Sequence, residues 1–221
     1  EGFGAAYGYT IDGDVLGGVE YECFNAASVT VRVKGHEIHP GSAKNKLRNA
    51  AVVAMEFHSM LPPFEAPEHT EGYEGFFHLT DMEGGMAKAT LRYIIRDHDR
   101  AKFEARKAVM EKACAEIDRR YGAGTAALTL RDSYYNMKEK IEPHMHIIDS
   151  AEKAFAENGI TPRIVAIRGG TDGAQLSFRG LPCPNLGTGG YSFHGPFEHI
   201  TVEGMDVAVD IILNLISESI A

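Results

Sequence analysis

Three cysteines, Cys23, Cys114 and Cys183, are too few and too widely spaced for a disulfide framework, and no CxxC pair offers a thiolate zinc site. A reducing, cytoplasmic setting is the expectation. Basic residues are also scarce. The 22 Lys and Arg stand against 31 Asp and Glu, a formal charge of -9. Phosphate-backbone binding draws on a cationic excess, so no nucleic-acid partner is expected. No run approaches the roughly 20 apolar residues of a membrane span. The opening Glu1-Gly2-Phe3-Gly4 lacks the basic and apolar segments of a secretion signal. The chain therefore reads as soluble and unsecreted, with no membrane partner, and a first residue other than Met suggests a cut or processed start. Internal repeats, low-complexity tracts and a Gly-x-Ser-x-Gly elbow are all missing, and no cysteine has an obvious His partner in sequence. A serine or cysteine hydrolase is thereby unsupported.

At 44% hydrophobic content, 221 residues suffice for one large domain or two small ones. Residues 27–34 alternate apolar and polar and stop at Gly35, the pattern of a half-buried strand. Residues 42–61 contain no Gly or Pro. Leu47, Ala50, Ala51, Ala54, Met55 and His58 fall on one helical face, ended by Pro62-Pro63. Two strands are expected at 75–80 and 87–95, joined by a turn at Glu83-Gly84-Gly85. Asp99 suits the cap of a helix over 100–121, with an apolar stripe of Phe103, Val109, Met110, Ala113 and Ile117 and a Gly122 stop. Residues 126–131 alternate again. The order is β-α-β-β-α-β, that of a ferredoxin-like split βαβ sandwich. Beyond it, a helix over 147–157, short strands at 163–167 and 184–186, and an amphipathic helix over 202–219 belong to an α/β layer. The expected organisation is an α/β domain (1–23 and 133–221) interrupted by a βαββαβ unit (24–132).

Several loops carry residues suited to chemistry. Asp12, in Thr10-Ile11-Asp12-Gly13, stands where an apolar strand gives way to a turn, and reads as a ligand carboxylate at a sheet edge or as ordinary turn chemistry. His194 lies in a glycine-rich loop with Glu198 close by; it reads as a metal-approaching imidazole or as a surface histidine beside a helix-capping Glu. In Arg168-Gly169-Gly170-Thr171-Asp172, backbone N–H groups, a helix start and a guanidinium suit a substrate carboxylate, unless Arg168 pairs with a core acid. His39, in His39-Pro40-Gly41-Ser42, suits a donor to a developing oxyanion, and Arg96, at a strand end, a carboxylate holder. Each alone also reads as a solvated loop residue or an Arg–Asp pair.

Taken in order, Thr10-Ile11-Asp12-Gly13, His39-Pro40-Gly41-Ser42-Ala43-Lys44, Glu71-Gly72-Tyr73-Glu74-Gly75-Phe76, Tyr93-Ile94-Ile95-Arg96-Asp97, the 168–177 block and His194-Gly195 resemble the peptidase T branch of the dinuclear-zinc exopeptidases. The resemblance implies a zinc-exopeptidase α/β catalytic domain interrupted by a βαββαβ lid or dimerisation domain, here in its C-terminal part only. It implies two zinc ions, a tripeptide substrate cleaved at its N-terminal residue, and a homodimer formed through the lid. Asp12 matches a terminal ligand of one zinc and His194 the His ligand of the other. His39, Arg96, Arg168, Gly169 and Gly170 match groups around the bound peptide. The family's His-x-Asp segment, bridging Asp and general-base Glu-Glu pair lie upstream of Thr10, so this chain alone is expected to bind zinc weakly or not at all and to be inactive. The alternative is a non-catalytic dimerisation module with remnants of a peptidase site.

Overall fold

The computed structural model describes residues 4–13 and 15–220, so Glu1, Gly2 and Phe3 of the opening segment lie outside the described residues. The chain divides into two compact units, one ending at Phe24 and resuming at Tyr135, the other Asn25–Tyr134.

The Asn25–Tyr134 unit runs β3 (Asn25–Lys34), α1 (Ala50–Ser59), β4 (Phe76–Gly84), β5 (Lys88–Asp97), α2 (Arg100–Tyr121) and β6 (Ala126–Tyr134). Its strands form one antiparallel sheet in the order β4-β5-β3-β6. The period of two decides which side is covered. Ala27, Val29, Val31 and Val33 of β3, with Ala89, Leu91, Tyr93 and Ile95 of β5, are buried. Ser28, Arg32, Lys34, Lys88 and Arg92 alternate with them and are exposed. Helix α2 has the bounds expected from its punctuation. Asp99 accepts the N–H of Lys102 as N-cap, and Gly122 ends the helix at φ +98°. Phe103, Met110, Ala113 and Ile117 form its buried stripe. Fully buried side chains such as Phe57 and Phe103 contribute about 1.5–3 kcal/mol each through burial.

Helix α1 departs from the expectation. It starts at Ala50 rather than at 42, and it buries Ala50, Val53, Ala54 and Phe57, while Met55 is exposed. The cause is tertiary. Arg48 exchanges backbone hydrogen bonds with His36 (2.7 and 3.0 Å), and its guanidinium donates to the Tyr121 carbonyl and the Thr125 hydroxyl. With residue 48 held in a bridge, the helix begins only after Asn49, whose side chain caps Ala51.

The other unit holds β1 (Thr10–Ile11), β2 (Gly18–Glu22), α3 (Lys138–Ile141), α4 (His146–Glu157), β7 (Arg163–Ala166), α5 (Asp172–Phe178), β8 (Asn185–Leu186) and α6 (Val202–Ile220). The sheet order is β1-β8-β2-β7, with β1–β8 and β2–β7 parallel and β8–β2 antiparallel. Its core gathers Val19, Ile147, Ile148, Phe155, Leu186 and Leu215. Among the described residues, no helix is long and apolar enough to cross a membrane.

Candidate functional site

The site grows from the pairing of β1 with β8, which sets Thr10 beside Asn185 and Ile11 beside Leu186. Because the strands are parallel, both leave the sheet at the same edge, where ligand-binding loops of α/β sheets collect. Asp12 follows β1 directly, and its N–H donates to the Leu186 carbonyl at 3.1 Å. The turn is tied to the segment after β8, since the N–H and hydroxyl of Thr188 both donate to the Gly13 carbonyl (3.3 and 2.7 Å). The Asp12 side chain is exposed. Asp14, the next acid of this turn, lies outside the described residues.

His194 lies farther along the same post-β8 segment, exposed and in a left-handed backbone at φ +60°. Glu198 meets the backbone of His194 rather than its ring. The His194 N–H donates to Glu198 Oε2 at 2.9 Å.

Two buried polar residues beneath the edge were not singled out by sequence reasoning. Asn185 and Glu20 are 1% and 3% exposed, and the Asn185 side-chain amide donates both to Glu20 Oε2 and to the Asp12 carbonyl. A buried polar pair is costly unless bonded. This one props the Asp12 turn from below. The available signal was a polar residue inside each short apolar strand, with no local clue that the two meet. Nearby, Lys138 Nζ lies 2.8 Å from Glu22 Oε1, and that bond pushes the Lys138 pKa up.

The 168–172 block also belongs to this unit. The Arg168 guanidinium lies 5.2 Å over the Phe24 ring. The Gly169 carbonyl accepts the Phe24 N–H at 3.1 Å, and Thr171 caps α5 by accepting the N–H of Ala174. Gly170 is exposed. At Gly173 a Cβ would overlap the Cys183 carbonyl and lie 2.9 Å from Thr10 Oγ1, so only glycine lets α5 press onto β1 and the segment that leads into β8.

In the Asn25–Tyr134 unit, His39 caps a single 3-10 turn (Pro40–Ser42), its Nδ1 accepting the Gly41 N–H at 3.1 Å. A neutral ring so bonded carries its proton on Nε2, which leaves Nε2 as an exposed donor. Arg96 is half-buried, donates to the carbonyls of Ile95 and Ala27, and lies 5.5 Å over the Tyr134 ring. It forms no pair with Asp97, which is engaged by Arg106.

A carboxylate oxygen at Asp12 and an imidazole at His194 are donors of the kind zinc takes; Asp12 follows β1, and His194 lies on the segment that follows β8. They fit as a share of a metal centre. Among the described residues, no group of three or more His, Cys, Asp or Glu is gathered to hold an ion.

A family model described as the peptidase dimerisation domain matches residues 21–125. The chain is 55% identical to peptidase T of Clostridium novyi over 98% of its own length and 53% of the relative's. Among solved structures it resembles aminopeptidase PepT from Bacillus cereus, with a TM-score of 0.83, 24% identity, and coverage of 98% of this chain and 58% of that one. A dinuclear metal-binding peptidase of the M20 family from Bacillus subtilis aligns with a TM-score of 0.66 at 16% identity, over 95% of this chain and 55% of that one. At these identities the two solved structures speak for the fold. The chain spans about half the length of the curated relatives it matches. Across nearly all of its own residues, and not only in the unit that the dimerisation model covers, the chain is similar to about half of a peptidase T.

Proposed function

We propose that the chain supplies the C-terminal part of a cytoplasmic, zinc-dependent tripeptide aminopeptidase that removes the N-terminal residue from tripeptides. Asp12 and His194 would each serve one of two zinc ions. The observation that supports this reading is the parallel pairing of β1 with β8, which sets the Asp12 turn beside the start of the segment that runs on to His194. Bound zinc polarises a scissile carbonyl and lowers the pKa of a bound water. This chain's own residues hold and orient. Asp12 and His194 offer ligand atoms, Arg168 with Gly169 and Gly170 offers contacts to a peptide carboxylate, and His39 Nε2 and Arg96 offer further polar contacts. The general base, a Glu, is expected outside this chain.

The unit that carries Asp12 also supports a role as part of a larger α/β domain. Among the described residues, strand β1 is an edge strand of its sheet. Helix α6 buries Ile211 and Leu215, yet Met205, Val209, Ile212, Leu213 and Ile216 on other sides are exposed. A cavity of about 330 Å³ between them is lined by Tyr7, Tyr9, Ile11, Ile212 and Ile216. A helix that leaves a second apolar face exposed suits packing against a further layer, and relatives nearly twice as long have the residues to supply one. The match to a peptidase dimerisation domain supports a homodimer formed through the Asn25–Tyr134 unit.

The test is co-expression with the N-terminal half of a peptidase T, followed by a tripeptide hydrolysis assay. Activity is expected only in the combined protein and should fall at least about 100-fold in Asp12→Ala or His194→Ala, the loss of a ligand rather than of packing. Tight two-ion binding by this chain alone, or full activity in His194→Ala, would refute the reading.

A further inference from the structure

The loop that carries His194 is held more tightly than an exposed connection needs. Tyr191 and His199 exchange backbone hydrogen bonds of 2.8 and 3.1 Å, and their rings stack 5.1 Å apart at 17°, closing the neck of the loop. Inside the neck, Gly195 donates to the Ser192 carbonyl and Glu198 to the Gly195 carbonyl, both at 3.2 Å. The Phe193 ring lies against Gly190, where any Cβ would come within 2.8 Å of it. Two residues with a Cβ, Ser192 at φ +56° and His194 at φ +60°, take left-handed backbone. Such conformations persist where the surroundings over-determine them, and they gather at functional positions.

We propose that Glu198 is a positioning residue. By accepting the His194 backbone N–H at 2.9 Å it holds the left-handed conformation there, and so fixes the direction in which the imidazole leaves the loop. The Tyr191–His199 neck is the frame against which it pulls. Because Glu198 contacts the backbone, it sets the Cα–Cβ direction and leaves the ring nitrogens for other partners. The proposal rests on the reading of His194 as a metal ligand.

The experiment uses the isotope-labelled chain combined with the N-terminal half of a peptidase T, with Zn²⁺ alone as the probe. Two quantities are read by NMR, the exchange rate of the His194 amide and the midpoint of the Zn²⁺-induced shift of the His194 ring. In Glu198→Ala the amide is expected to exchange at least about tenfold faster, and the zinc midpoint to rise about tenfold, the scale on which outer-shell partners tune metal ligands. Glu198→Gln keeps an acceptor oxygen and should retain most of both. Unchanged exchange in Glu198→Ala overturns the clasp, and faster exchange with an unchanged midpoint reduces it to a structural contact and overturns positioning. Absence of any Zn²⁺-induced shift of the His194 ring in the parent protein defeats the ligand reading instead, while the amide arm still decides the clasp. The loop is exposed, so an unchanged melting curve of each variant confirms that the fold is intact.

Discussion

Replacing Arg106 with Met should destabilise the Asn25–Tyr134 unit by about 3 kcal/mol. Asp97, at the end of β5, is 1% exposed. One carboxylate oxygen accepts the Asp99 N–H at 2.9 Å, and the other accepts from Arg106 Nε at 2.9 Å. The second arm of Arg106 reaches Glu65, whose side chain is well exposed and adds little. Removing one partner of a buried pair costs about 3–5 kcal/mol, because an uncompensated charge stays behind. The lower end applies here, since the backbone N–H remains and a Met side chain retains part of the contact with the Phe77 ring, over which the Arg106 guanidinium lies at 5.3 Å. For a domain of this size each kcal/mol lowers Tm by roughly 4–8 °C, so a fall of about 12–24 °C is expected. Thermal and urea melts measure it, with amide exchange at Leu91 and Ile95 reporting on this unit alone. Asp97→Asn in the Arg106→Met background removes the stranded charge and should regain more than half of the loss. A single variant within about 1 kcal/mol of the parent would refute the argument, as would a double variant no more stable than the single.

The Asp118 carboxylate accepts the N–H groups of Gly124 (2.9 Å) and Ala126 (2.8 Å), which hold its pKa below the ordinary value. Its contribution is therefore complete above the unfolded-state pKa, near 3.9, and is lost as pH falls through the lower native value. Asp118→Asn should flatten that acid limb in melts across pH 2–6, and should cost about 1 kcal/mol at neutral pH after allowance for solvent. Burial pushes the Cys23 and Cys183 thiols up to about 11. Iodoacetamide at pH 8, followed by mass spectrometry, should label the less buried Cys114 first and the other two only on unfolding. Gly173→Ala should cost about 1–3 kcal/mol by forcing α5 off β1 and the Cys183 backbone, and melts read against amide exchange at Val19 would detect it.

The elements legible in the sequence are those that local chemistry encodes. Alternation over 27–34 and 87–95 marked β3 and β5, because a half-buried sheet buries every second side chain. Asp99 and Gly122 marked the ends of α2 through the orphan N–H groups they satisfy and the positive φ they permit. Where the local signal was only a lack of helix breakers, at 42–49, tertiary contacts of Arg48 overrode it.

The site divides in the same way. Asp12 and His194 were visible as residues in unusual turns, with bland readings still open beside them. Only the parallel pairing of β1 with β8, distant in sequence, sets the Asp12 turn against the start of the segment that leads to His194. The Asn185–Glu20 support under Asp12 and the Glu198 contact to the His194 backbone likewise became visible in three dimensions. Periodicity, caps and breakers act within a few residues, so sequence alone determined the elements and their order. Which strand edges meet, and which polar groups are buried together, depends on packing between distant segments, and the tertiary structure decided it.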